Sequence, residues 1–157
     1  MKTDRLLPLA NACSAVLLLL LPFARPASAT LGHSASNVGS DQKTMKLETS
    51  KTETVHGYRV VALSSTDFFV KEFVNPRSGL VFAVSWSGQR PPDVQTLLGF
   101  DPGKVEGAKV SRSLRFEHVE SPTLIIDFGG LPGAFSGKAV RLDLLPAGVK
   151  ASEVTLP

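Results

Sequence analysis

Beyond residue 54 the chain is a series of short apolar runs separated by turn residues, and this pattern excludes most folds. Residues 68–74 and 80–86 flank Asn75, Pro76 and Gly79. Proline fixes φ and glycine accepts a positive φ, so we expect a hairpin between the two runs. No run of helical length separates successive apolar runs, as a parallel sheet would require. The pattern predicts a mainly β fold, at the border with α+β: a small antiparallel sheet of five or six strands with one short helix.

The run at residues 80–86 predicts a central strand. Apolar or small residues occupy both of its faces, which is typical of a strand covered on both sides. One face is predicted to carry Leu80, Phe82, Val84 and Trp86. Pro91 and Pro92 end the strand, because proline cannot donate to a ladder.

The other predicted elements are weaker in pattern. Residues 110–119 alternate, with Leu114 and Phe116 on one face, and predict one strand with a solvent-exposed side. Residues 94–98 predict a short helix, with Asp93 as N-cap and Gly99 as C-cap. The remaining strands are predicted at residues 55–63, 68–74, 124–128 and 135–145, and tight turns with positive φ at Gly129, Gly133 and Gly137.

The N-terminus has the features of a secretory signal peptide. Lys2 and Arg5 precede a largely apolar stretch at residues 6–21, and Ala27, Ser28 and Ala29 form a small-residue cleavage site. A membrane span needs about 20 apolar residues, so we expect no integral span after removal of residues 1–29. The single cysteine, Cys13, is lost with the signal. The sequence therefore predicts a periplasmic or secreted protein without disulfides.

Charge and composition divide the remaining chain. The net charge is +3 overall, but residues 1–29 contribute Lys2, Arg5 and Arg25 against Asp4. The nearly neutral remainder has no electrostatic footprint for nucleic acid. Residues 30–54 are polar and predict a flexible arm, and residues 55–157 predict a single β-rich domain.

Several stretches together resemble a known family. They are residues 70–76, 79–88, 92–94 with 97–99, 129–130, 134–139 and 145–149. In order and spacing they are similar to the bacterial domain-of-unknown-function family 2844. The resemblance covers most of residues 55–149, and Leu131, Pro132 and Gly133 depart from it. It implies an exported β-rich protein and adds no mechanism.

The candidate chemical groups are few. The three histidines, His33, His56 and His118, are far apart in sequence. A metal site formed by Glu117, His118 and Glu120 is a weaker interpretation than a solvated strand end. We therefore predict no catalytic set, no metal and no cofactor. Trp86 is the only binding residue suggested by type, and a lone tryptophan on a central strand is more typical of a core.

Two classes of function remain open. The first is a non-enzymatic envelope or secreted module that binds an unidentified protein or envelope partner or has a structural role. The second is a small periplasmic hydrolase or lyase. The second needs one of Asp127, His118, His56 or Ser136 to gather in a pocket. Two or more of these groups within about 3 Å of each other in a cleft would reverse the preference between the two classes. The sequence favours the first.

Overall fold

The computed structural model describes residues 31–35, 47–55 and 57–157. Within these residues, eight strands form one antiparallel sheet in the order β1-β2-β3-β4-β8-β7-β6-β5. The strands are β1 (Glu48–Val55), β2 (Tyr58–Ser64), β3 (Phe68–Val74), β4 (Val81–Gly88), β5 (Lys109–Arg112), β6 (Phe116–Ser121), β7 (Leu124–Leu131) and β8 (Ala134–Arg141). The helix α1 (Val94–Leu98) and the 3₁₀ helices Pro102–Lys104, Leu142–Leu144 and Ala151–Glu153 complete the described elements.

The sheet consists of two four-stranded meanders. Strands β1 to β4 form the first and β5 to β8 the second, and β4 pairs with β8 to join them. The mainly β prediction is confirmed, but five or six strands is an undercount of the eight. Two sequence interpretations account for the difference, one at residues 110–119 and one at residues 30–54.

Residues 110–119 form a hairpin and not one strand. Strand β5 ends at Arg112 and β6 begins at Phe116. The Ser113 backbone N–H donates to the Phe116 carbonyl over 2.8 Å, and the Ser113 hydroxyl accepts from the Phe116 N–H over 3.2 Å. Leu114 lies in this turn and is fully exposed. The turn contains no glycine or proline, so the alternating pattern concealed it.

Strand β1 lies within the segment predicted to be a flexible arm. Its residues pair with β2 from Glu48 to Val55, with a bulge between Thr49 and Lys51. Leu31 and Leu47 are 3% and 5% exposed. The described parts of residues 30–54 therefore belong to the folded sheet, and strand structure begins before residue 55. The prediction of a flexible arm rests on polar composition, but an edge strand exposes much of its surface and can therefore be polar.

The two faces of the sheet are covered differently. On the face that we call the main face lies a core that includes α1 and the central part of β4. On the other, which we call the C-terminal face, a smaller core packs against the chain that follows β8. The main core contains Leu31, Leu47, Val61, Leu63, Val70, Val74, Val81, Val84, Trp86, Leu97, Leu98, Val119, Leu124, Ile126 and Ala139, and the second core contains Tyr58, Phe73, Phe82, Ala83, Val140 and Val154.

A bulge in β4 corrects the predicted face assignment. The register with β3 shifts between Phe73 and Val74, next to Phe82. Val84 and Trp86 consequently face the main core, while Phe82 packs with Tyr58 and Phe73 in the second core. The prediction that Leu80, Phe82, Val84 and Trp86 share one face is therefore wrong, because strict alternation fails at a bulge.

The short helix α1 is confirmed with both caps. The Asp93 carboxylate accepts from the Gln95 and Thr96 backbone N–H groups over 3.1 and 3.2 Å. Gly99 ends the helix with φ 79°. Leu97 and Leu98 are fully buried, so α1 covers part of the main face.

Candidate functional site

A row of polar side chains crosses the C-terminal face of the sheet. Directly opposite residues of antiparallel strands lie on the same face. The register pairs Ser85 with Lys138, Lys138 with Asp127, Asp127 with His118, and His118 with Ser111. Strands β4, β8, β7, β6 and β5 thus present one continuous polar row, beside the apolar second core on the same face.

His118 sits between two carboxylates. Its Nδ1 donates to Asp127 Oδ1 over 2.6 Å, and its Nε2 lies 3.7 Å from Glu120 Oε2. The His118 and Asp127 side chains are 43% and 44% exposed. The hydrogen bond to Asp127 raises the pKa of His118 above its ordinary value of 6.5, with a smaller contribution from Glu120. The imidazole is therefore stabilised in its charged form.

A groove of about 370 Å³ opens on this face, between the middle of β7 and β8 and the last residues of the chain. We call it the C-terminal groove. Its walls include two unusually exposed apolar side chains, Phe116 at 61% and Leu156 at 47%. Asp127 and Lys138 add opposite charges. The groove is lined by Phe116, Asp127, Phe128, Ser136, Gly137, Lys138, Ser152, Val154, Thr155 and Leu156.

The structure brings two of the four residues on which the enzyme interpretation depends, His118 and Asp127, to 2.6 Å, inside the distance which that interpretation sets. Asp127 and Ser136 line the C-terminal groove, and His118 joins them through its bond to Asp127. Ser136, however, lies opposite Gly129 and not beside His118. His56 lies outside the described residues.

The proposed metal ligands face different ways. Glu117 and His118 are neighbours in β6, so their side chains point to opposite faces of the sheet. Glu117 accepts two hydrogen bonds from the Arg112 guanidinium, at 2.7 and 3.1 Å. His118 and Glu120 lie together on the C-terminal face. In the described part of the chain, no group of three or more His, Cys, Asp or Glu residues is arranged to hold a metal.

Trp86 is a core residue in this structure. Its side chain is 1% exposed and belongs to the main core. A Cβ built on Gly137, directly opposite in β8, would approach the indole within 2.4 Å. Trp86 is therefore a core residue and not a binding residue in this structure, since its ring presents no surface to a ligand.

The predicted turn glycines also need correction. Of the three, only Gly133 has a positive φ, 86°. Gly129 and Gly137 lie within β7 and β8. A Cβ on Gly129 would approach the Arg115 carbonyl oxygen within 2.1 Å and Phe116 Cδ1 within 2.7 Å. These two positions require glycine because backbone atoms and an aromatic ring lie against each of them.

Sequence reasoning missed several groups at this site. Lys138 and Ser85 carry no local motif that marks them as site residues. Their proximity follows from the β4–β8 pairing, which connects residues more than 50 positions apart. Phe116 is exposed because it begins β6 after a turn, whereas the alternating pattern predicts that it lies on the apolar face of one longer strand.

The fold and site define a class of protein: an open, eight-stranded antiparallel sheet with a groove on one face. The chain belongs to the family DUF2844, described as a protein of unknown function, whose model matches residues 27–154. This confirms the family resemblance. Comparison with curated proteins and with solved structures gave no match. In the described ranges, the longest and most apolar helix is too short to cross a membrane.

Proposed function

We propose that this protein is an exported, non-enzymatic binding module of the bacterial envelope or its surroundings, and that it binds an extended segment of a partner protein in the C-terminal groove. One observation carries the proposal. The groove places exposed Phe116 and Leu156 beside the oppositely charged Asp127 and Lys138. Apolar walls with a few polar groups are typical of binding sites, and the volume of about 370 Å³ lies within their usual range.

A peptide segment suits this lining better than a purely apolar ligand. An extended chain presents polar N–H and C=O groups together with alternating side chains. Apolar side chains can contact Phe116 and Leu156, and polar groups can contact Ser136, Asp127 and Lys138. Exposed apolar side chains flanked by polar groups are a common mark of protein interaction surfaces.

The hydrolase or lyase alternative has one observation in its favour. His118 and Asp127 meet at 2.6 Å, the distance expected of a catalytic pair. A triad, however, needs the second imidazole nitrogen to accept a proton from a nucleophile. In this structure that nitrogen lies 3.7 Å from Glu120, and His118 is not among the residues that line the C-terminal groove. Ser136, the candidate nucleophile, lies opposite Gly129 and not beside His118, so the geometry supports binding.

The cellular location of the protein is part of the same proposal. Residues 1–29 lie outside the described residues, and export rests on their sequence: the basic start, the apolar stretch and the site at Ala27 and Ala29. We place the mature protein, beginning at Thr30, in the periplasm or outside the cell. Both locations contain the envelope proteins that the groove is proposed to bind.

Affinity capture with matched variants tests the proposal. The protein is expressed with its own leader in its host and recovered after cross-linking. We expect one partner to be captured by the wild type and by Leu114→Ser, and lost with Phe116→Ser. Leu114 is the control because it is apolar and even more exposed than Phe116 but lies outside the groove. Equal capture by all three forms would contradict groove binding. Turnover that His118→Asn abolishes without loss of the partner would favour the enzyme alternative.

A further inference from the structure

Two lysines bracket one serine on the C-terminal face. Lys71 in β3 and Lys138 in β8 are both directly opposite Ser85 in β4. The three residues therefore lie in one line across adjacent strands and on one face, with Ser85 between the two lysines. Lys138 also lines the C-terminal groove, so this line reaches the proposed binding site.

The Ser85 hydroxyl is buried without a partner. The residue is 0% exposed, and Ser85 Oγ has no hydrogen-bond partner within the described residues. A buried hydroxyl that forms no hydrogen bond destabilises the folded state. Buried polar groups are satisfied in most proteins, so an orphaned hydroxyl calls for an explanation. A ligand oxygen is one group that would satisfy it.

The lysines are available to a ligand. Across the part of the chain that the structure describes, neither ammonium group forms an ion pair. Asp127 is directly opposite Lys138, but its carboxylate is bonded to His118. The part of the row that lies on β3, β4 and β8 is therefore cationic.

We propose that Lys71, Ser85 and Lys138 form an oxyanion subsite, and that the ligand of the C-terminal groove places a carboxylate or phosphate group there. The two ammonium groups supply charge-assisted hydrogen bonds, and Ser85 Oγ donates a third. The proposal rests on the proposed function because it places this anionic group on the ligand of the same groove. The carboxylate of an acidic side chain in the partner segment fits both proposals.

Phosphate binding to the protein, purified in the form that the cell exports, tests the subsite. We expect phosphate to raise the melting temperature above that in chloride of equal ionic strength, because a ligand stabilises the state that it binds. Lys71→Met and Lys138→Met should each weaken the phosphate Kd about tenfold or more, as expected for losing a hydrogen bond to a charged group. Lys109→Met, on the exposed strand β5, is the matched control and should leave the Kd unchanged.

Ser85→Ala provides a readout that a merely structural serine would not give. Without phosphate, we expect its melting temperature to equal or exceed that of the wild type, because the orphaned hydroxyl is gone. Its phosphate Kd should rise about tenfold. The proposal is overturned if phosphate gives no stabilisation beyond chloride. It is also overturned if all variants respond equally, which would indicate an adventitious ion only.

Competition then separates the two sources of the oxyanion. A capped Leu-Glu-Leu peptide that displaces phosphate, while its Leu-Gln-Leu counterpart does not, identifies a peptide carboxylate. Phosphate binding that neither peptide displaces identifies a phosphorylated ligand. In the second case the oxyanion subsite stands, but the partner-segment function fails, so the two proposals are distinguishable.

Discussion

At the scale of single residues, close pairs of an aromatic ring and a glycine recur across the sheet. In each pair the two residues are directly opposite on neighbouring strands, and a Cβ on the glycine would approach the ring within 2.4–2.7 Å. Rings of this kind cover the backbone that a glycine leaves bare. The pairs are Phe68 with Gly88, Trp86 with Gly137, and Phe116 with Gly129.

Gly137→Ala should be strongly destabilising. The added Cβ would lie 2.4 Å from the Trp86 ring and 2.7 Å from the Asp127 carbonyl oxygen. Neither can move far, because one is in the core and the other is backbone. We expect a loss of about 1–3 kcal/mol or more in the free energy of unfolding. Urea unfolding followed by the fluorescence of Trp86, the only tryptophan, measures it. Gly133→Ala, at an open turn position, tests whether backbone strain alone gives the same loss.

The His118 pair predicts a defined pH dependence. The pKa of His118 is raised in the folded protein, so its contribution to stability is complete below pH 6.5. That contribution is lost as the pH rises through the higher folded-state pKa. An NMR titration should show the His118 midpoint above 6.5. Asp127→Asn should lower the midpoint more than Glu120→Gln does, because the bond to Asp127 is the larger cause. The reverse order would contradict the assigned geometry.

At the scale of elements, prediction succeeded where local chemistry decides the structure. Strand β3 occupies residues 68–74 as predicted, because Asn75, Pro76 and Gly79 fix the following turn. Helix α1 begins after Asp93, as its cap indicates. The prediction failed at β1, because the buried apolar residues Leu31 and Leu47 lie outside that strand. It also failed at the Ser113 turn, which is held by hydrogen bonds to the Ser113 hydroxyl and contains no glycine or proline. Both cases are pairings of strands that are adjacent in sequence, and the pattern of apolar and turn residues shows neither.

The segment before β2 should contribute to stability. Leu31 and Leu47 are buried in the main core, and the Gly32 N–H donates to the Val81 carbonyl over 2.8 Å. Leu31→Ala and Leu47→Ala should each lower the free energy of unfolding by about 2–5 kcal/mol, from lost transfer energy and the cavity left behind. Thr52→Ala on exposed β1 should change it by less than about 0.5 kcal/mol. Chemical denaturation of the three variants measures these changes. If Leu31→Ala and Leu47→Ala lower the free energy of unfolding as little as Thr52→Ala does, the prediction of a flexible arm would be correct.

At the scale of the whole molecule, the sheet separates stability from binding. The main face is apolar and covered, whereas the C-terminal face is apolar at one end and polar at the other. The sequence marked Asp127, His118 and Ser136 as candidates, but it did not reveal that Lys138 and Ser85 join them. That juxtaposition depends on the pairing of β4 with β8, which joins two meanders distant in the chain.

The predicted export and N-terminal processing of the protein can be tested directly. Because Ala27 and Ala29 form the predicted cleavage site, we expect the mature protein to begin at Thr30. Intact-mass measurement of protein recovered from the envelope and medium of its host determines the N-terminus. Protein that retains Met1, or that carries a lipid on Cys13, would contradict the predicted processing.

Site-specific photo-cross-linking tests whether the C-terminal groove is the binding site. A photoreactive phenylalanine analogue replaces either Phe116 or Leu156 in the groove, or else Val110 on β5 as an exposed apolar control. We predict that both groove positions, but not Val110, form a covalent adduct with the same partner in the host. We also predict that Lys138→Met weakens the adduct. Adducts at Val110 alone, or equally at all three positions, would contradict the account.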